Sequence, residues 1–331
     1  MEVPDWVMRS AQLAAALEVS GWPKPGNIHR TVDFTETRYE HFIAGAIAMG
    51  PAIRDAATRG VQVRTNKIDT RNLKLGDLIL KSVTDINRWH KGGNTHLGTC
   101  LLFVPLAAAA GKTMTNNELS DLLTLQENVD LIMRSTTPQD AAKVYEAILS
   151  VSSKKELGEY VSQKAPDLYD PEMNGKLERS KVSLFDAMKI ASRWDTVAKE
   201  LVTAMNISFT LGHPTLMDTF EKTKDVNTST VHTYLTILSK VPDTFIARKI
   251  GLKENNDVEK AVDIGRKKIW WISREAEMIL KKGGLTTKEG KKAIWNLDEK
   301  LQRQKGLLNP GTTADLTASS LMISLLRGLR F

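Results

Sequence analysis

The apolar run LGTCLLFVPLAAAA, residues 97–110, indicates the fold class more strongly than any other stretch. A helix that spans a bilayer needs about 20 apolar residues. This run is shorter, and Pro105 interrupts it, so we predict a helix buried in the core of the protein. Cys100 is the single cysteine of the chain and lies inside this run. We expect it to be a small buried hydrophobic side chain without an internal disulfide.

Helical periodicity continues on both sides of this run. Between residues 38 and 58, apolar positions recur every three or four residues, which places them on one face of a helix. The same pattern occurs in residues 6–20, 73–89, 97–110, 117–134, 139–150, 184–211, 228–240, 256–281, 287–304 and 314–329. VQVRT at 61–65 alternates as a strand would, but it is short and isolated. The sequence therefore predicts an all-α fold without a βαβ sheet.

A single multi-helix domain over residues 1–331 is the simplest organisation. The length also allows two ordinary domains, but no repeat or low-complexity tract divides the chain. Residues 152–182 are polar and contain Pro166 and Pro171. We predict that this middle excursion is a surface insertion or a lid.

Several residues predict helix boundaries. Gly111 is expected to cap the apolar helix, and Thr115 to open the next one, with Glu118 three residues later. Ser183 with Asp186 predicts another helix start.

Composition and charge narrow the class of protein. The net charge is +7 and the sequence pI is about 9.3, which favours anionic partners. The basic residues are scattered, without an arginine-rich arm, zinc-finger spacing or RNP-like motif, so nucleic acid is not an expected partner. The start MEVPDWVMRS lacks the pattern of a secretory signal. We expect a cytoplasmic protein with no membrane partner; a homodimer is compatible with the sequence, which does not determine the oligomeric state.

AAAAGKT at 107–113 ends like a phosphate-binding P-loop but does not fit that motif. The motif needs glycine five positions before the Gly-Lys pair, where this chain has Leu106, and it follows a strand rather than a helix. We predict a helix C-terminus with a solvated Lys112 instead.

WPKPG at 22–26 fixes the backbone on both sides of Lys24. Each proline restricts its own φ and keeps the residue before it out of the helical region. Gly26 permits a turn that brings backbone close to a ligand. Two interpretations stay open at this point: a stiff connector with an incidental lysine, or a loop that presents the Lys24 ammonium with little conformational freedom.

Three further stretches place polar residues at predicted helix starts. In GGNTHLGT, residues 92–99, Asn94 or Thr95 can cap the apolar helix and leave backbone N–H groups for an anion, with His96 at the edge of the core. His96 is a structural residue or a functional one. In KVPDTFIARK, residues 240–249, Asp243 is an N-cap, or it binds a cation or takes a proton.

GLLNPGTTADLTASSL at 306–321 follows the same logic. Asn-Pro-Gly makes a turn, and Thr312 or Thr313 is expected to open a helix of small and apolar residues. Asp315 then falls in the first turn, where the helix dipole favours a carboxylate. The stretch suits a phosphate or a Mg²⁺-bound phosphate, and it is also compatible with an ordinary capped helix.

Together these stretches resemble the triphosphoribosyl-dephospho-CoA synthases, a family of ATP:dephospho-CoA transferases. The resemblance rests on four blocks in order: EVS with PKPG and Arg30 at 18–30, NTHLG at 94–98, VPDTFIARKIG at 241–251 and LNPGTTADLTAS at 308–319. It extends from about residue 10 to 325. The middle, SLFDAMKIASRWDTVAKELVTAMNISFTLGHPTL, departs from the family pattern except at GHPTL. This indicates a divergent branch, similar to an archaeal one, and one expectation is that the ATP side is retained while the acceptor differs.

The resemblance implies an all-helical enzyme that moves the 5-triphosphoribosyl group of ATP to the 2′-hydroxyl of dephospho-CoA and releases adenine. It implies Mg²⁺ with the triphosphate, and an oxocarbenium-like transition state at the ribose C1′. His96, Asp243 and Asp315 are the catalytic candidates, and Glu18, Asp243 and Asp315 the metal ligands. The candidates for ATP and phosphate contact are Lys24, Gly26, Arg30, Asn94, Thr95, Arg248, Lys249, Asn309, Gly311 and Thr312. The same chemistry on another acceptor, and a non-catalytic nucleotide- or CoA-binding protein, remain the alternatives.

Overall fold

The computed structural model describes residues 1–116, 118, 119, 121–160 and 167–331. Its helices are α1 (Val3–Ser20), α2 (Tyr39–Ala48), α3 (Gly50–Arg64), α4 (Leu75–Trp89), α5 (Leu97–Thr113), α6 (Leu122–Arg134), α7 (Pro138–Leu149), α8 (Lys154–Leu157), α9 (Met173–Ser180), α10 (Leu184–Ala191), α11 (Thr196–Val202), α12 (His213–Thr223), α13 (Val226–Lys240), α14 (Thr244–Gly251), α15 (Val258–Lys281), α16 (Lys288–Gln302) and α17 (Gly311–Leu326). Isolated bridges are the only strand-like pairings among the described residues. The all-α prediction is confirmed.

The apolar helix α5 is the centre of the fold, as its sequence predicted. Every residue from Thr99 to Gly111 is buried, and α1, α3, α4, α6 and α17 pack around it. Two glycines bring α3 and α5 into backbone contact, because a Cβ on Gly60 would overlap the Ala108 carbonyl and one on Gly111 would overlap the Ala57 carbonyl. None of the described helices is long and apolar enough to cross a bilayer.

Two hydrophobic clusters lie side by side. The larger one contains α5 and the helices around it, and the smaller one is formed mainly by α13, α14, α15 and α16. Helix α17 packs against both α5 and α13, so it joins the two clusters. The residues of greatest chemical interest lie along this junction.

The structure corrects several predicted boundaries. The periodic segment 38–58 is divided between α2 and α3, and VQVRT at 61–65 belongs to the end of α3 and the turn after it. Gly111 is inside α5, which continues to Thr113, and Lys112 donates to Asn128 Oδ1 at 2.6 Å instead of being solvated. Close packing against α3, rather than capping, explains the glycine.

Of two other predicted helix starts, the one at Thr115 is wrong and the one at Ser183 is confirmed. Thr115 does not open a helix: α6 begins at Leu122, with Asp121 accepting from the N–H groups of Leu123 and Thr124. Residues 117 and 120 of that predicted segment lie outside the described part. The helix start predicted at Ser183 is confirmed, and Ser183 and Asp186 form a capping box there. The predicted segment 184–211 consists of α10, α11 and the start of a π-helical turn, Ser208–Gly212.

The polar segment 152–182 is anchored in the protein. Its described part contains α8 and α9, and Met173 and Leu177 of α9 are buried in the larger cluster. Residues 161–166 lie outside the described part. The interpretation of this segment as an insertion or a lid stays a prediction. The organisation of the chain as a single domain stays a prediction as well.

Candidate active site

The loop after α1 is held firmly, as its prolines predicted. The Trp22–Pro23 bond is cis, and Gly26 has a φ of 76°, a conformation that favours glycine. The Gly26 N–H donates to Asp298 Oδ1 of α16 at 2.9 Å, and the Tyr234 hydroxyl of α13 donates to the Pro25 carbonyl at 2.8 Å. Contacts with two distant helices therefore fix the direction in which the loop presents Lys24.

Lys24 is directed inward and is fully buried. Its ammonium forms an ion pair with the Glu18 carboxylate and donates to the Glu18 carbonyl at 2.8 Å, so it also binds the C-terminal end of α1. Burial lowers the pKa of Lys24 and raises the pKa of Glu18, while the attraction between the two charges opposes both shifts. The Lys24–Glu18 ion pair is therefore already formed in the interior of the protein, and the Lys24 ammonium is not exposed to solvent.

The NTHLG block forms the start of α5. The N-cap position of α5 is His96, whose side chain makes no capping bond, but Asn94 Oδ1 accepts from the Leu97 N–H at 3.1 Å and so caps the first N–H of the helix from outside it. Thr95 Oγ1 lies 2.8 Å from His96 Nδ1 and 3.1 Å from His90 Nε2, so this hydroxyl links the two rings. Burial, together with the positive charges of His90 and Lys24, lowers the pKa of His96 to about 3. His96 is therefore a neutral imidazole near pH 7.

Asp243 joins the starts of two helices. One oxygen accepts from the Ile246 N–H of α14 at 3.0 Å. The other accepts from the N–H and the hydroxyl of Thr313 in α17, both at 2.8 Å. Burial raises its pKa in spite of these hydrogen bonds. The capping interpretation is thus confirmed, with a second helix that the sequence did not reveal.

Asp315 lies in the second turn of α17 and not in the first, because the helix begins at Gly311. It is partly buried and faces α5, where Thr99 Oγ1 donates to its Oδ1 at 2.7 Å. Gly98 makes this approach possible, since a Cβ there would collide with Asp315 Oδ2. Burial, followed by the charges of Glu18 and Asp243, raises the pKa of Asp315 to about 8. The carboxyl is therefore mostly protonated at neutral pH.

We call Glu18, Lys24, His96, Asp243 and Asp315 the buried cluster; four of these residues are buried, and Asp315 is partly buried. They come from four separate parts of the chain, yet their charges act on one another. The Lys24 charge lowers the pKa of His96, and the charge of Asp315 raises the pKa of Lys24. The structure therefore brings together the three predicted catalytic residues and the predicted Glu18 and Lys24.

A second group of predicted residues gathers around Phe245, at the start of α14. The Lys249 ammonium lies 3.9 Å from the Phe245 ring centroid and donates to the Gly306 carbonyl at 3.0 Å, and a Cβ on Gly311 would lie 2.9 Å from the same ring. Burial lowers the pKa of Lys249 to about 8. Lys249 is therefore partly neutral at mildly basic pH.

Two further predicted residues, Arg248 and Asn309, have a buried polar atom without a hydrogen-bond partner among the described residues. The Arg248 guanidinium lies 5.6 Å from the Phe245 centroid and 3.6 Å from Asp195, and its Nε is buried without a hydrogen-bond partner among the described residues. Asn309 Oδ1 is buried and unpartnered in the same sense. Thr312 Oγ1 lies 3.3 Å from Thr244 Oγ1. A buried polar atom without a protein partner calls for an explanation, and a bound water or ion is one of them.

Arg30 does not join either group. Its guanidinium donates to the Ser20 carbonyl at 2.9 Å and to Asn227 Oδ1 at 3.1 Å, and it lies over the Trp22 ring. The structure uses it to fasten the loop to α13, and a phosphate contact by Arg30 stays a prediction.

The predicted metal ligands do not form a ligand set. No group of three His, Cys, Asp or Glu side chains among the described residues is arranged to hold an ion. Asp243 uses both oxygens for helix starts, Glu18 is neutralised by Lys24, and Asp315 is mostly protonated near pH 7. These residues do not fit a resident magnesium site.

Sequence reasoning missed residues that complete the site. Thr99, Asp195, Tyr234, Thr244 and Asp298 position the cluster or its loop. Thr99 directly follows the NTHLG block, which was a usable signal. Thr244 lies inside the VPDTFIARKIG block, directly after Asp243, and was marked by the same kind of signal. The other three lie in segments whose pattern indicated only helices and caps.

An all-helical protein whose interior gathers several ionisable groups with strongly shifted pKa values has the features of an enzyme. The family model described as CitG, ATP:dephospho-CoA triphosphoribosyl transferase, matches residues 4–330. The chain belongs to this family, and it is a transferase.

A crystal structure from Archaeoglobus fulgidus supports the same fold. That protein's own assignment as a triphosphoribosyl-dephospho-CoA synthase is provisional. It is 26% identical to this chain, covers 87% of it and is itself covered completely, with a TM-score of 0.58. No curated protein matches the sequence.

Proposed function

We propose that the protein transfers the 5-triphosphoribosyl group of ATP to the 2′-hydroxyl of dephospho-CoA and releases adenine. The observation that carries the chemistry is Asp315, a carboxyl with a pKa of about 8 inside a cluster that also contains Glu18, Lys24 and His96. A protonated carboxyl beside ionisable partners is suited to a reaction in which a base departs from a ribose.

The proposed step breaks the bond between C1′ and the adenine nitrogen and forms a bond from C1′ to the acceptor oxygen. Asp315 gives its proton to the departing adenine, which makes adenine a better leaving group. The acceptor hydroxyl loses its proton as the new bond forms, and Glu18 takes that proton in this scheme. Lys24 holds the Glu18 carboxylate in place through the ion pair. The proton count balances, because one proton leaves the acceptor and one enters adenine.

In this scheme His96 acts as a neutral hydrogen-bonding group and not as a charged acid. Since its pKa is about 3, the neutral imidazole can donate or accept one hydrogen bond without carrying a proton away. Its Nδ1 is engaged with Thr95, which leaves Nε2 for the ribose or for adenine. Mg²⁺ belongs to the substrate in this proposal and enters with the triphosphate of ATP.

Mass analysis after incubation with ATP and Mg²⁺, with and without dephospho-CoA, tests the proposal. Free adenine together with a triphosphoribosylated dephospho-CoA is the expected result. Adenine formed only with another acceptor would replace dephospho-CoA by that acceptor. Tight ATP binding without adenine from any acceptor would contradict the transferase chemistry and indicate a binding protein.

A further inference from the structure

A basic cleft lies outside the buried cluster. Its volume is about 520 Å³, which is within the range of about 300–1,000 Å³ usual for small-molecule sites. Four cationic side chains line it, together with hydroxyl and apolar groups. Its walls are formed by Ser192, Arg193, Thr196, Lys199, Val202, Thr203, Ile207, Lys240, Val241, Pro242 and Arg266. No carboxylate is among these described lining residues.

The four cations differ in how far the protein already uses them. The Arg266 guanidinium donates to the Arg193 carbonyl at 3.2 Å and lies 3.5 Å from Asp263, and Arg193 lies 3.8 Å from Glu259. Both arginines therefore brace the walls. By contrast, Lys199 and Lys240 are exposed, and neither is in ion-pair contact with a carboxylate in the described part of the chain, although the charge of Lys199 opposes the burial that raises the pKa of Glu200 and that of Lys240 helps to lower the pKa of Glu277. Their ammonium groups are available to an anion.

The cleft adjoins the buried cluster through short contacts. Thr196, in the wall, donates its N–H to Thr244 Oγ1 at 3.1 Å, and that hydroxyl lies 3.3 Å from Thr312 Oγ1. Pro242, also in the wall, directly precedes Asp243. A ligand whose charged chain fills the cleft would therefore lie close to Asp243 and its neighbouring residues.

The predicted phosphate contacts at the two ends of the chain are largely engaged within the protein, and the exception is the buried Nε of Arg248, whose guanidinium still lies 3.6 Å from Asp195. Lys24 is paired with Glu18, Arg30 with the loop and α13, and Lys249 with the Gly306 carbonyl. A nucleotide polyphosphate carries several negative charges and binds best where cations have no internal partner. The cleft offers such cations, and the buried cluster, with three carboxyl groups, does not.

We propose that this cleft binds the polyphosphate chain of a nucleotide substrate, with Lys199 and Lys240 as its main contacts. The inference rests on the proposed function, because it assumes a nucleotide that reacts at the neighbouring cluster. Two substrates share this chemistry: ATP has a triphosphate, and dephospho-CoA has a diphosphate diester. The apolar part of the wall, from Val202, Ile207 and Val241, would contact the organic body of either one.

The double substitution Lys199→Gln, Lys240→Gln removes these two charges and leaves the arginine braces in place. The matched control is Lys222→Gln, Lys291→Gln, which makes the same change in net charge at exposed residues of α12 and α16. Calorimetric titration with inorganic triphosphate and inorganic diphosphate measures anion binding without any turnover. KM for ATP and for dephospho-CoA is then determined separately, and thermal melting verifies the fold.

Loss of a charged contact typically weakens binding about tenfold, so we expect a decrease of about 10- to 100-fold in affinity for one inorganic chain. KM should rise by a similar factor for one substrate and should change little for the other. The substrate that responds identifies the source of the polyphosphate. Unchanged anion affinity and unchanged KM for both substrates would overturn the inference. If the wild-type protein releases no adenine, the proposed function fails, whereas the calorimetric comparison still decides whether the cleft is an anion site.

Discussion

The Asp315→Asn substitution isolates the residue on which the proposed chemistry depends. Asparagine has the same shape, and its amide oxygen can still accept from Thr99, which donates to Asp315 at 2.7 Å. The substitution therefore removes one exchangeable proton and one latent negative charge and preserves the packing of α17 against α5.

The first expected consequence concerns stability and pH. Asp315 has an ordinary pKa of 3.8 and a pKa of about 8 in the folded protein, so the folded state binds more protons between these values. Its contribution to the unfolding free energy is complete below about pH 4 and is lost as pH rises through about 8. The full loss is on the order of 6 kcal/mol at most, because each pKa unit corresponds to about 1.36 kcal/mol.

The second consequence concerns turnover. Loss of a general acid typically costs about 10²- to 10⁴-fold in rate. In the wild-type protein we expect kcat to fall above about pH 8, where Asp315 loses its proton. The Asp315→Asn protein should be slow at every pH and should lack this decline.

Both consequences are measured on the same protein samples. Adenine release gives the pH–rate profile, and thermal melting from pH 5 to 9 gives the pH dependence of stability. Asp218→Asn, an exposed position in α12, is the control for loss of a carboxylate. The reasoning is refuted if Asp315→Asn retains more than about a third of the wild-type kcat. It is refuted equally if the variant loses stability with rising pH as steeply as the wild type.

Three other changes test the remaining members of the site. Asp243→Asn should lower the unfolding free energy by about 1–3 kcal/mol, because an amide cannot accept at both helix starts; an unchanged melting temperature would contradict the capping role. Lys24→Met should cost about 3–5 kcal/mol in urea unfolding, since it leaves Glu18 buried without its partner, and Glu18→Gln in the same chain should recover much of that loss. Thr95→Val should lower kcat, because its hydroxyl orients the His96 ring, whereas Thr95→Ser should retain most activity; equal rates for these two variants would count against an orienting hydroxyl.

The sequence predicted individual pieces of the site better than their assembly. Local patterns are enough for Asn94 as a cap and for Asp243 as an N-cap, because these contacts lie within a few residues. The bond from Asp243 to Thr313 spans 70 positions and depends on how two helices meet. No local pattern contains that information. The basic cleft has the same origin, since its cations come from α11, α13, α15 and the turn after α10.

The protonation states of Asp315 and His96 likewise depend on the tertiary structure. A sequence shows that Asp315 is acidic and that His96 is basic near neutral pH. At pH 7 burial leaves Asp315 mostly protonated, because it raises the pKa of this carboxyl to about 8, and it moves the titration of His96 far below neutral pH, because it lowers the pKa of the ring to about 3. Desolvation depends on what surrounds a group, and here the surroundings come from distant helices.

By itself the sequence determined the all-α class, the buried apolar helix at 97–110 and the four blocks that indicate the family. These features depend on residue spacing and on local capping chemistry, which a linear chain already contains. The tertiary structure alone decided that Lys24 turns inward to Glu18, that Arg30 fastens a loop, and that Gly98 lets Asp315 approach α5. Helix packing sets those distances, and the distances determine which charges are used for folding and which remain available to a substrate.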